Sequence, residues 1–408
     1  MHVRERFLRY VAFDTQSNPK SGLHPSTEKQ KKLGEILVEE LAAMGASQVS
    51  MDQYGYVYAA IPPSKGLENE PVIGWIAHMD TAPDCSGANV KPRVVENYDG
   101  GEIFLNDGIV MSPSEFPHLL DYVGNDLIVT DGTTLLGADD KAGVAEIMTA
   151  AELLLAEDSP EHGAIRIAFT PDEEIGEGTD YFDIDGFGAD FAYTVDGGAL
   201  GEIEYECFNA AGALVTVKGV NIHTGDAKNK MKNASLIAME FLSMLPPAER
   251  PEHTEGYEGF YHLHSMEGNV ERAEMEFLIR DHDSSAFQKR KEIMERIAVF
   301  LNETHGADTV DLAIKDSYYN MKEKIAPHME IVERAERAML AEGVIPKIQP
   351  IRGGTDGARL SHEGLLCPNL SAGGHNFHGR FEYIPVQSME TMVRVLLRLV
   401  IPSENQRN

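Results

Sequence analysis

A chain of 408 residues with 42% hydrophobic and 25% charged side chains has the make-up of a globular protein long enough to bury two cores. Its 35 basic against 66 acidic residues leave a net charge of −31, which repels a nucleic-acid backbone, and no stretch approaches the ~18 successive apolar residues of a membrane span. Three scattered cysteines, Cys85, Cys207 and Cys367, support neither a disulfide framework nor a cysteine-rich metal site and fit a reducing cytoplasm.

The N-terminal stretch runs directly into an amphipathic pattern of Val3, Phe7, Leu8 and Val11, without the apolar core of a signal peptide, so secretion is not expected. Thr27 and Gln30 have capping-box spacing ahead of a helix with Leu33, Ile36, Leu37, Leu41 and Met44 on one face, stopped by Gly45. Residues 72–77, 165–169 and 191–195 are short apolar runs bounded by turn residues, which predicts buried strands. Between the first two, Val144, Ile147, Met148, Ala151 and Leu155 mark an amphipathic helix. Residues 85–125 hold many Gly, Pro, Asn and Asp and little periodicity, which predicts a long irregular excursion.

From about Cys207 the pattern changes to half-exposed strands at 214–217 and around Met275, Phe277 and Ile279, interleaved with helices near 234–245 and 284–301. After Tyr319 come a helix, a Gly-rich loop, a short strand and a last helix through Met389, Val393, Leu396 and Val400, with Pro385 at its start. The expected organisation is an α/β domain made of 1–206 and 321–408, interrupted by an inserted α+β domain at 207–320.

Open α/β sheets place ligands at the carboxyl ends of their strands. There stand His78-Met79-Asp80, Thr170-Pro171-Asp172-Glu173-Glu174 and Asp196-Gly197-Gly198, while Asp139-Asp140 opens the intervening helix and His375 and His378 lie near the chain end. Taken singly, each has a bland reading: acids stay solvated at turns or complement a helix N-terminus. Together, two histidines and three acids suffice for two divalent ions, and the adjacent Glu173 and Glu174 offer one base and one ligand from a single turn.

These segments, with Ile351-Arg352-Gly353-Gly354-Thr355-Asp356-Gly357 and Asn376-Phe377-His378-Gly379, resemble the M20 metallopeptidase family over nearly the whole chain. The excursion after His78 resembles the members that trim tripeptides. The resemblance implies a di-zinc aminopeptidase-like catalytic domain with a mixed sheet flanked by helices, plus an inserted lid and dimerisation domain. It further implies two Zn2+ per subunit, with Asp140 bridging, His78 and Asp196 completing one site, and Glu174 and His378 the other. Glu173 would be the general base, and Asp80 would fix the His78 tautomer. His378 is preferred to His375 because the His-Gly pair matches the motif.

A short-peptide enzyme must grip the terminal carboxylate, for which Arg280 and Arg352 are the candidate cations. The resemblance adds His223, which in similar dimeric enzymes reaches the partner's active site. The expected protein is therefore a cytoplasmic, homodimeric zinc aminopeptidase acting on short peptides, chiefly tripeptides, with no nucleic-acid or membrane partner. The rivals are another M20 activity, an N-acyl amino acid deacylase or carboxypeptidase, and a metal-binding module without catalysis. Nucleotide binding is disfavoured, since Gly176-x-Gly178 lacks the third glycine of the dinucleotide fingerprint.

Overall fold

The computed structural model describes residues 1–106 and 108–401 and divides the chain into two compact units. The first comprises Met1–Tyr205, Glu323–Gln349 and the chain from Thr355 onward; the second comprises Glu206–Lys322 and Pro350–Gly354. The short segment holding Arg352 thus groups with the second unit, where the sequence reading had it return with 321–408. The cause is local: Ile351 N–H donates to Glu206 O, and the Arg352 guanidinium donates to the carbonyls of Thr254, Gly256 and Glu258.

The first unit is built on an eight-stranded mixed sheet. Its centre is parallel, running Ile165–Thr170, Ile73–His78, Phe191–Gly197 and Asn369–Ser371, with antiparallel strands Val57–Ile61 and Ser47–Met51 beyond one side. Strand Ile73–His78 is buried along its whole length, as parallel strands covered on both faces are. Because His78 pairs with Thr170 in register and Phe191–Gly197 lies on the other side, three strand ends open at one edge of the sheet.

Helix Ala138–Leu154 crosses the sheet beside two of these strands, and Gly143 sets how closely it can approach. A Cβ at Gly143 would lie 1.9 Å from Val195 O, so any larger residue would push the helix start away from the end of strand Phe191–Gly197. Helices Val3–Tyr10 and Val386–Val400 pack on the same helix.

Two local readings are corrected. Helix Gln30–Met44 does end at Gly45, at φ 93°, but its N-cap is Lys29, without a side-chain cap. Gln30 is instead fully buried and donates from Nε2 to Asp172 Oδ1 at 2.6 Å, a tertiary partner that outcompetes the capping box. Nor is 85–125 irregular: it holds strands Arg93–Val95, Ile103–Asn106 and Ile109–Met111 and a 3-10 helix, Pro117–Tyr122. Tyr98, Ile103, Met111, Leu119 and Leu127 give it a core, and Arg93–Val95 joins Leu127–Val129 and Tyr383–Pro385 in a small antiparallel sheet. These strands are too short for a visible period.

The second unit is a four-stranded antiparallel sheet in the order Phe260–Gly268, Arg272–Asp281, Asn209–Lys218, Val310–Tyr318. Alternate residues such as Val215, Val217, Met275, Phe277 and Ile279 turn inward against helices Ala234–Met244 and Ser284–His305. Asn233 and Asp283 cap these helices by accepting from Leu236 N and Ala286 N.

Candidate active site

The strand ends of the first unit gather a cluster of acids around two histidines. His78 is 2% exposed at the side chain, with Nε2 2.8 Å from Asp139 Oδ1 and 3.3 Å from Asp196 Oδ1. His378 enters from the loop before strand Tyr383–Pro385, with Nε2 3.1 Å from Asp139 Oδ2 and 2.9 Å from Glu174 Oε2. One carboxylate, Asp139, therefore meets both imidazoles, with an oxygen for each.

The carboxylate that lies between the imidazoles is thus Asp139, and not the Asp140 expected to bridge. The Asp140 carboxylate turns away from the imidazoles and accepts from the backbone N–H groups of His78 and Gly143, each at 3.1 Å. Asp139 and Asp140 have non-helical ψ of 106° and 34° ahead of the regular helix, so neither side chain follows the helix's own side-chain direction. Asp139 is braced by Glu382, whose fully buried carboxylate accepts from Leu136 N at 2.6 Å, Gly137 N at 2.8 Å and Asp139 N at 3.1 Å. Nothing local in the sequence marks Glu382. Asp356 was also missed as a site residue: it is buried, accepts from Thr170 Oγ1 at 2.8 Å and sits on the quoted Gly-Gly-Thr-Asp-Gly motif.

Asp80 orders the turn that carries the glutamates. Its Oδ1 accepts from Glu173 N at 3.0 Å and its Oδ2 from Glu174 N at 3.3 Å. His78 Nδ1 faces Asp80 O at 3.1 Å and Asp80 Oδ1 at 3.4 Å, which leaves Nε2 towards Asp139 and Asp196. His375 stands apart, 2.7 Å from Tyr122 Oη and stacked among His118 and Tyr383, where burial and then His118 lower its pKa to about 3.

The electrostatics are those of acids crowded out of water. Burial, then Asp139, raises Glu174 to about 8, and burial raises Asp196 to about 6 against the pull of His78. Burial followed by Asp196 lifts Glu173 well above the usual carboxylate range, and does the same to Asp140. Hydrogen bonds from its ring N–H to the Asp139 and then the Glu174 carboxylate push His378 up to about 11. Such a cluster fits divalent cations. An ion with tetrahedral bonds of about 2.0–2.1 Å spaces its ligand atoms about 3.3 Å apart, close to the spacings here. Glu174 Oε1 is moreover buried without a hydrogen-bond partner, and the sets His78–Asp139–Glu174 and His78–Glu173–Asp196 each bring their donor atoms within 4.8 Å.

The other expected residues lie in the second unit. His223 is exposed and caps a short 3-10 turn, its Nδ1 accepting from Gly225 N at 3.2 Å. Arg280 is next to last in strand Arg272–Asp281 with its guanidinium over the Tyr318 ring, and its buried Nη1 has no hydrogen-bond partner among the described residues. Arg352 is not the unpaired cation its sequence context suggested. Its Nη1 donates to Gly256 O and Glu258 O, its Nη2 to Thr254 O and Oγ1, and it stacks over Phe208 and Phe260.

Comparison with known proteins agrees with this fold. A peptidase dimerisation domain model of the M20 type matches residues 205–309. The chain has the fold of aminopeptidase PepT from Bacillus cereus (TM-score 0.77, 22% identity, 98% of this chain and 97% of that one). It is similar in fold to the Bacillus subtilis YXEP protein, described as a dinuclear metal binding peptidase from the M20 family (TM-score 0.66, 14% identity, 97% of each chain). It is 58% identical to peptidase T of Halothermothrix orenii over 98% of both chains, and 57% identical to peptidase T of Desulfitobacterium hafniense over 98% of this chain and 97% of the other. At that identity and coverage, the chain belongs to the peptidase T family.

Proposed function

We propose that this peptidase is a two-zinc aminopeptidase that releases the N-terminal residue of short peptides, chiefly tripeptides. The observation that carries the reading is the Asp139 carboxylate meeting both His78 and His378. Asp139, His78 and Asp196 would hold one ion, and Asp139, Glu174 and His378 the other. Two divalent ions held there would supply Lewis acidity towards a peptide carbonyl and lower the pKa of water towards neutrality.

The chain's own groups do the rest. Glu173 takes a proton from the attacking water and returns it to the leaving amine. Asp80, through the N–H groups of Glu173 and Glu174 and the Nδ1 edge of His78, keeps base and ligands in fixed orientation. Glu382 does the same for Asp139. Arg280, whose buried Nη1 has no hydrogen-bond partner among the described residues, binds the substrate's terminal carboxylate. His223 assists from the second unit, through which the protein forms a homodimer. Three scattered cysteines, none in a disulfide among the described residues, support a reducing cytoplasm as the place where the enzyme works.

A metal-dependent hydrolysis panel tests the reading. Free tripeptides should be cleaved in preference to dipeptides, tetrapeptides, N-acetylated or C-amidated peptides and N-acyl amino acids. Preferred cleavage of N-acyl amino acids would instead make the enzyme a deacylase on the same scaffold.

A further inference from the structure

Behind the turn that carries Glu173 and Glu174 lies a second group of donors that the peptidase reading does not use. The His24 side chain is 7% exposed, enclosed by Tyr54, Tyr56 and Tyr181 at ring-centroid distances of 6.0, 5.6 and 4.8 Å. Neither ring nitrogen makes a hydrogen bond with any of the described residues, although both are buried. The nearest acid is Asp172, with Oδ2 3.5 Å from His24 Nδ1, and donor atoms of His24, Asp172 and Glu177 all lie within 4.8 Å of one another. A buried imidazole with both nitrogens unsatisfied is costly, and a cation placed between it and two carboxylates removes that cost.

We propose that His24, Asp172 and Glu177 form a binding site for a borderline divalent cation such as zinc or cobalt, separate from the catalytic cluster. The donor set, one imidazole nitrogen and two carboxylate oxygens, is that of zinc-type sites rather than calcium or magnesium sites. Asp172 is already oriented, since its oxygens accept from Ser26 N at 2.6 Å, Ser26 Oγ at 2.5 Å and Gln30 Nε2 at 2.6 Å. Tetrahedral coordination asks for ligand atoms about 3.3 Å apart, so Glu177, which lies at the solvent-facing edge, has to swing inward by at most roughly 1.5 Å. Water at that open edge completes the shell. A cation there fastens the His24 segment to both ends of the turn from Asp172 to Glu177, which carries Glu173 and Glu174, and so holds the base and a ligand of the neighbouring site.

The test is the metal content of the full-length protein after equilibrium dialysis against buffered free Zn2+, read by elemental mass spectrometry, for wild type, His24→Phe and Glu177→Gln. His24→Phe keeps a ring between the tyrosines, and Glu177→Gln alters only a solvent-facing side chain, so one variant remains informative if the other misfolds. Each folded variant is expected to bind one ion fewer per chain than wild type at the same free Zn2+. In Co2+ titrations the step lost should be the weaker one, since this site has three protein donors and lacks a bridging carboxylate. Equal metal content in wild type and the folded variants overturns the proposal. The measurement is a difference from wild type, so it reads the same whether the catalytic cluster holds two ions, one or none.

Discussion

Replacing Asp139 by Asn tests the bridging assignment directly, because Asp140→Asn is its built-in control. In Asp139→Asn the group lost is a charged acceptor with one oxygen 2.8 Å from His78 Nε2 and the other 3.1 Å from His378 Nε2. Interactions with an ionised group are worth about 1.5–3 kcal/mol each, so losing the charge at both positions weakens the cluster's hold on a cation by about 3–6 kcal/mol. At 1.4 kcal/mol per decade this is a roughly 10²- to 10⁴-fold loss of affinity. Asp140→Asn keeps one acceptor oxygen for the two N–H groups of His78 and Gly143 and forfeits one hydrogen bond of about 0.5–1.5 kcal/mol, which is at most about tenfold. Competition of each variant against a chromophoric chelator measures the two affinities, and kcat/KM on a free tripeptide should fall in the same order. If Asp140→Asn gives up its metal as readily as Asp139→Asn, the geometric reasoning fails.

Glu173→Gln keeps the shape of the base but cannot accept a proton, so metal content should stay at the wild-type level while kcat drops roughly 10²- to 10⁴-fold; near-normal turnover removes Glu173 from that role. Arg280→Ala should cost a free tripeptide about ten- to a hundredfold in kcat/KM and largely erase the preference over its amidated form, from the value of a hydrogen bond to a charged group. Arg352→Ala should lower thermal stability and leave the ratio of free to amidated rates near wild type, since its guanidinium already serves Thr254, Gly256 and Glu258; a collapse of that ratio would return Arg352 to the substrate. Glu146 is fully buried, neither oxygen has a hydrogen-bond partner among the described residues, and burial alone raises its pKa well above the usual range. The fold keeps this acid neutral while the unfolded chain ionises, so stability falls as pH rises above the ordinary glutamate pKa towards the folded one. Glu146→Gln should therefore shrink the drop in Tm between about pH 5 and pH 8, and an unchanged drop refutes the assignment.

What the sequence determined by itself is what short-range physics encodes. Apolar runs of strand length, the 3.6-residue period of the helices and the inward alternation of Met275, Phe277 and Ile279 place the elements, because burial periodicity is a property of neighbouring residues. The rule that ligands collect at strand carboxyl ends then points to His78, Glu173, Glu174 and Asp196, each within a few residues of a strand. Where the answer depended on a partner far along the chain, sequence was silent. The choice between Asp139 and Asp140 rests on backbone angles at the helix start and on Glu382, 243 residues from Asp139. Gln30 left its capping box for Asp172, 142 residues away, and Arg352 spent its donors on carbonyls nearly a hundred residues earlier. Side-chain direction and the pairing of charges are settled by three-dimensional packing, which a local pattern does not contain.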